Sequence, residues 1–169
     1  YGYGLNATIL QLAQGYAMLA NHGVEVPLSL HKLDQPPKGT QVLDPKIADQ
    51  VLLMLEQVTM PGGTAKQANI PGYRVGGKTG TAQKIDMVNG GYLPGHYIAS
   101  FCGFGPVEDP QFTVLVIIND PAGGEYYGGQ VAAPIAHDIF LQLFRYANVK
   151  PINGNQSLLD DIKGTEAKN

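Results

Sequence analysis

The residues best suited to chemistry lie between 76 and 81, where Gly76-Gly77-Lys78-Thr79-Gly80-Thr81 joins one cationic side chain to two hydroxyls on a nearly bare backbone. Glycine inside a strand normally weakens it, so three glycines in five residues mark a place where something approaches the backbone closely. Lys78 supplies a fixed positive charge, and the hydroxyls of Thr79 and Thr81 can donate to a carboxylate. Gly80 leaves an edge along which an extended peptide can lie and pair. The combination suits capture of a peptide through its C-terminal carboxylate. Taken alone, the Lys-Thr-Gly tripeptide is weak evidence and reads more readily as a glycine-rich hairpin strand that merely turns or bulges. His22, His31, His96 and His137 show no two-ligand helical spacing, so neither a metal nor a cofactor is expected. Cys102, between Phe101 and Gly103, reads as a small buried side chain rather than a nucleophile.

These residues need elements to position them. Thr8 and Gln11 have capping-box spacing, and Ile9, Leu12, Ala13, Tyr16, Leu19 and Ala20 recur at helical intervals, which predicts a helix from Thr8 to about His22 with Gly23 as its C-terminal cap. Val24, Val26, Leu28 and Leu30 alternate with polar residues or proline and predict a short edge strand, followed by a turn-rich stretch from Asp34 to Thr40. Asp44 and Pro45 start a second helix, with Ile47, Val51, Met54, Leu55 and Val58 as its buried stripe, ended by Pro61-Gly62-Gly63. Strands are expected over Tyr73 to Lys84, Tyr97 to Gly105 and Phe112 to Ile118, the last buried on both faces. Short turns make them an antiparallel meander; residues Gly90 to Gly95 form a flap or a hairpin end. A closing helix spans about Val131 to Tyr146, with Ile135, Ile139, Phe140 and Leu143 on its apolar side. The fold class is therefore α+β, an antiparallel sheet flanked by helices, and a sheet of three strands is small for this length, so further strands are expected from an upstream segment.

The composition narrows the possible partners. With 44% hydrophobic and 15% charged residues among 169, the chain can bury a core. A formal charge of −3 provides no basic field for nucleic acid. The single cysteine rules out an intrachain disulfide and leaves the redox compartment open. Tyr1 to Leu5 carries neither a start methionine nor the regions of a signal peptide, so the chain is expected to begin in mid-protein, with any membrane anchor outside it. Residues 1–150 are expected to form one portion of a domain, and residues 151–169 a polar, frayed tail.

Lys78-Thr79-Gly80 resembles the third signature of the penicillin-binding proteins and serine β-lactamases. The likeness extends through Tyr3-Gly4-Leu5, Gln11-Leu12-Ala13, Pro61-Gly62-Gly63-Thr64, Pro71-Gly72-Tyr73, Lys78 to Gln83, Asn119-Asp120-Pro121, Tyr126-Tyr127-Gly128-Gly129 and Ala133-Pro134. Together these are similar to successive landmarks of the class B penicillin-binding proteins, and within that class to the division-specific type of Gram-negative bacteria. The resemblance implies a serine nucleophile in a Ser-x-x-Lys motif, a Ser-x-Asn motif, and the Lys-Thr-Gly strand facing both. It implies that Lys78 supplies positive potential and aids proton traffic, that Thr79 and Thr81 bind the carboxylate of substrate or antibiotic, and that the Thr81 N-H forms half of an oxyanion hole. Tyr126 and Tyr127 are then either an aromatic wall over the ligand or hydrophobic cover for the sheet.

Ser29-Leu30-His31-Lys32 also spells Ser-x-x-Lys, but the chemistry needs both side chains on one helix face, and on an alternating strand residues three apart point to opposite faces. No nucleophile is therefore assigned to this chain. The implied partners are an upstream segment of the same enzyme carrying both serine motifs, peptidoglycan stem peptides, β-lactams and division-complex membrane proteins, at the periplasmic face of the inner membrane. A serine β-lactamase or carboxypeptidase, and a non-catalytic sensor of the same fold, remain as alternatives.

Overall fold

The structure, a computed structural model, describes residues 5–152. The first helix, α1 (Ile9–Ala20), begins at a complete capping box. The Gln11 N-H donates to the Thr8 hydroxyl at 3.2 Å, and the Thr8 N-H to the Gln11 side chain at 2.9 Å. It ends where His22 and Gly23 take left-handed backbone angles and the Gly23 N-H returns to the Met18 carbonyl at 2.9 Å. An added Cβ at Gly23 would lie 2.5 Å from the Leu43 carbonyl oxygen, so only glycine fits this C-terminal cap.

The strand predicted over Val24 to Leu30 is much shorter. Only β1 (Val24–Glu25) pairs, antiparallel with β2 (Thr40–Gln41). Beyond it Leu28 is exposed and Leu30 is 94% exposed, and the Ser29 hydroxyl accepts the His31 N-H and donates to the His31 carbonyl. Alternation without a partner strand gives no ladder, and this serine turn bends the chain instead.

Asp44 caps α2 (Pro45–Glu56) by accepting the Lys46 N-H at 2.8 Å. Its buried stripe is Ala48, Leu52 and Glu56, whereas the predicted Ile47 and Met54 are exposed. The hydrophobic pattern missed this face because only Leu52 on it is large and apolar; Ala48 is small, and Glu56 is a carboxylate buried with an arginine partner.

The three-stranded meander forms as expected. Strands β3 (Gly76–Ile85), β4 (Tyr92–Gly105) and β5 (Phe112–Asn119) lie antiparallel in that order. Lys78 faces Cys102, Thr79 faces Phe101, Gly80 faces Ser100 and Thr81 faces Ala99. Strand β4 starts at Tyr92 rather than Tyr97, so most of the expected flap is strand, joined to β3 across an irregularity between Gln83 and Ile85. Two glycines of the 76–81 segment have a packing reason: a Cβ at Gly76 would lie 2.4 Å from the Phe104 ring and one at Gly77 2.5 Å from the Phe101 ring. The closeness inferred from sequence is thus filled at those two positions by the protein's own phenylalanines.

A short helix α3 (Gly128–Val131) leads into α4 (Ala133–Tyr146). Helix α4 covers one sheet face, where Ala136, Phe140 and Phe144 join Phe101, Val114 and Val116 with Ala65, Ala68, Ile70 and Val75. Ile135 and Ile139, expected on this side, are exposed, so the helix turns its alanines and phenylalanines inward. Truncating a buried phenylalanine here removes about 3 to 5 kcal/mol. On the other face Phe104 and Val107 meet Ala20 of α1 and Leu52 of α2. Strand β5 is buried toward α4 and half-buried on its other face. The tail from 153 onward lies outside the described residues.

Candidate functional site

The approach to β3 is fixed before the signature begins. The Arg74 guanidinium donates to both Glu56 carboxylate oxygens at 2.6 Å, and the Glu56 side chain is only 6% exposed. The Thr59 hydroxyl donates to the Val75 carbonyl at 2.6 Å, and the Val107 N-H to the Arg74 carbonyl at 2.9 Å. The end of α2 and the β4–β5 turn therefore grip the two residues that precede Gly76. Strand alternation then sends Lys78 and Gly80 to one side and Thr79 and Thr81 to the other.

Lys78 is exposed, and its Nζ donates to the Thr79 carbonyl at 2.8 Å. The Thr79 and Thr64 hydroxyls are 3.0 Å apart and hydrogen-bonded. The Thr81 hydroxyl oxygen accepts the Gly128 N-H at 3.1 Å, which leaves its proton available for an anionic guest. Gly128 sits so close to the sheet that a Cβ would lie 2.1 Å from the Ser100 carbonyl oxygen and 2.6 Å from that of Gly80. Glycine is required there because the obstructing atoms are backbone.

Tyr126 and Tyr127 immediately precede this contact, and so stand at the same end of β3 as Thr81. The Tyr126 ring stacks on Tyr97 with centroids 4.1 Å apart and planes 11° apart, and tilts against Tyr127 at 4.5 Å. The hydrogen bond to Tyr127 pushes the Tyr126 phenol up to about 12, so it stays neutral at ordinary pH. Tyr127 is more than half exposed.

The structure thus gathers Thr79, Thr81, Tyr126 and Tyr127 on one side of β3, with Lys78 and Gly80 facing the other side of the same strand, and adds Thr64 and Tyr97, to which the sequence assigned no role. Thr64 belongs to the glycine-rich landmark at 61–64, and Tyr97 opens the expected second strand, but only cross-strand register shows what they touch. Ser29 and Lys32 are both exposed in the bend after β1, not on a helix. Cys102 is buried beneath α1, and burial pushes its thiol up to about 12. Among the described residues no group of three or more His, Cys, Asp or Glu side chains is arranged to hold a metal ion, and no helix is long and apolar enough to cross a membrane.

A strand edge presenting a lysine, two threonine hydroxyls and a tyrosine cluster, on an antiparallel sheet with helices on both faces, defines a class. Residues 1–141 match the family described as the penicillin binding protein transpeptidase domain, and the chain belongs to that family. It is 43% identical over 151 residues to the peptidoglycan D,D-transpeptidase FtsI of Escherichia coli K12, covering 89% of this chain and 25% of that protein. Against the probable peptidoglycan D,D-transpeptidase PenA of Neisseria gonorrhoeae it is 42% identical over 134 residues, covering 79% and 23%. A solved transpeptidase domain of penicillin-binding protein 3 from Burkholderia pseudomallei superposes with a TM-score of 0.82 at 42% identity, over 90% of this chain and 46% of that one. The resemblance to the class B, division-type proteins and the α+β assignment both agree with these findings. The chain spans about a quarter of the length of the curated relatives it matches.

Proposed function

We propose that residues 1–150 of this chain are the C-terminal portion of the transpeptidase domain of a division-type peptidoglycan D,D-transpeptidase, followed by a polar tail at 151–169, and that they supply the Lys-Thr-Gly wall of the active site. The observation that carries this reading is the row Lys78, Thr79, Thr81, with the Thr81 oxygen already occupied by the Gly128 N-H and its proton therefore directed at a guest carboxylate. A hydroxyl that both accepts an amide and donates to an anion makes a charge-assisted bond, shorter and stronger than a neutral one. Lys78, on the other side of the same strand, adds positive potential.

The nucleophile belongs to an upstream segment that carries Ser-x-x-Lys and Ser-x-Asn. Its serine oxygen attacks the carbonyl of the penultimate D-Ala of a stem peptide, and the bond to the terminal D-Ala breaks as the leaving amine takes a proton. An amine of a second stem then attacks the acyl-serine, forming the cross-link and restoring the serine hydroxyl. The Thr81 N-H stabilises the oxyanion in both steps, a contribution of about 3 to 4 kcal/mol per donor in comparable sites. β-Lactams acylate the same serine and stall. The enzyme works at the periplasmic face of the inner membrane, anchored by an upstream helix and held among division-complex membrane proteins.

The test is acylation of the full enzyme by a labelled penicillin, followed by transfer of a stem-peptide acyl group to an added D-amino acid. Lys78→Ala is expected to slow acylation by orders of magnitude and Ser29→Ala to leave it unchanged. Transfer to water alone would favour a β-lactamase or carboxypeptidase, and no acylation at all a non-catalytic sensor.

A further inference from the structure

The loop between β5 and α3, from Asp120 to Tyr127, carries the half-buried Tyr126 and the exposed Tyr127, yet among the described residues its middle makes no hydrogen bond. Gly123 and Gly124 have φ of +94° and +90°, and no atom lies within 4 Å of where their side chains would be. The loop's placement therefore rests on its two ends. At the far end Gly128 is hydrogen-bonded to Thr81.

At the near end Asp120 holds a left-handed backbone at φ +60°, a conformation that aspartate adopts more readily than most residues. Its carboxylate meets His96 Nδ1 at 2.8 Å and Lys84 Nζ at 3.4 Å, from β4 and β3 respectively. Its N-H donates to the Tyr97 carbonyl at 2.8 Å. His96 and Tyr97 are consecutive, so one residue grips the start of the loop while the next offers the ring on which Tyr126 stacks. The side chains of His96, Asp120 and Lys84 are 52%, 38% and 28% exposed, and pairs this accessible add little to global stability. A local effect is different: the pair competes only with the freedom of a short, glycine-containing loop.

We propose that His96, Asp120 and Lys84 form a latch that sets the pose of the Tyr126–Tyr127 loop, making His96 and Asp120 positioning residues for recognition of the ligand's side chain. The inference rests on the reading of Tyr126 and Tyr127 as a wall over the ligand.

Two measurements on the full enzyme test it, one of which needs no activity. Chymotrypsin cleavage after Tyr126 and Tyr127 is expected to quicken about three- to fivefold in His96→Ala and in Asp120→Gly. Glycine keeps the left-handed backbone while deleting the carboxylate, so it separates the latch from the turn. The second measurement is the ratio of acylation rate constants for benzylpenicillin, which has an aromatic side chain, and 6-aminopenicillanic acid, which has none. Both are read on one sample, so any loss of folded enzyme cancels. That ratio is expected to fall about three- to fivefold in either variant and no further in the double variant, with His96→Gln restoring most of it. Unchanged cleavage in either variant, additive losses, or equal losses for both ligands overturn the latch. If the parent enzyme acylates with neither ligand, the transpeptidase reading fails, and cleavage still decides whether the latch holds the loop.

Discussion

Replacing Arg74 by methionine tests what holds the Lys-Thr-Gly strand in place. Glu56 is a carboxylate with 6% of its side chain exposed, at the C-terminal end of α2, where the helix dipole disfavours negative charge. Among the described residues its compensation is the Arg74 guanidinium, which makes two bonds of 2.6 Å. Removing one partner of a buried pair leaves an uncompensated charge and costs about 3 to 5 kcal/mol. Arg74 is 36% exposed, so water can enter as it leaves, and the lower figure of about 3 kcal/mol applies. For a domain of this size each kcal/mol shifts the melting temperature by about 2 to 4 °C, so Arg74→Met is expected to melt about 6 to 12 °C below the parent in differential scanning fluorimetry of the full enzyme. Adding Glu56→Gln removes the stranded charge and is expected to recover at least half of the loss. Because Arg74 lies two residues before Gly76, acylation by penicillin should fall in the single variant more than in the double. A melting temperature within 2 °C of the parent, or a double variant as unstable as the single, would refute the reasoning.

Three other outcomes follow from the same geometry. Gly128→Ala forces a Cβ against two backbone oxygens and is expected to lower stability by about 1 to 3 kcal/mol in thermal unfolding, with at least a tenfold loss in acylation rate. Cys102, buried and with its thiol pushed up to about 12, should resist iodoacetamide at pH 8 in the native enzyme and react on unfolding, as followed by mass spectrometry. The hydrogen bond from His96, then the Lys84 contact, hold the Asp120 carboxyl below its ordinary value of 3.8. Its folded form is the better acid, so its stabilising effect is full above that value and is lost as pH falls below it. The difference in melting temperature between the parent and Asp120→Asn should accordingly shrink between pH 7 and pH 3.

The sequence and the structure diverge in instructive places. Thr8 with Gln11 and Asp44 with Pro45 announced their helices because capping is local chemistry, carried by residues within one turn. The meander was legible for a similar reason: its turns are short, and its strands are rich in β-branched and aromatic residues. Val24 to Leu30 misled because alternation shows that a segment can pair, not that a partner exists. The α2 stripe was misassigned because Glu56 is buried only by virtue of Arg74, which arrives from outside the helix. Lys78, Thr79 and Thr81 were visible as a motif, but Thr64 and Tyr97 reach the site through contacts made across the sheet and the 61–64 loop, and no local pattern records these.

The most direct test of the central claim is peptide mapping of the penicillin adduct. The full enzyme is acylated to completion, digested and analysed by mass spectrometry for the peptide that has gained the antibiotic mass. The adduct is expected on a serine of a Ser-x-x-Lys motif upstream of Tyr1, with every peptide from Tyr1 to Asn169 unmodified. An adduct on any residue within Tyr1 to Asn169, Ser29 included, would contradict it.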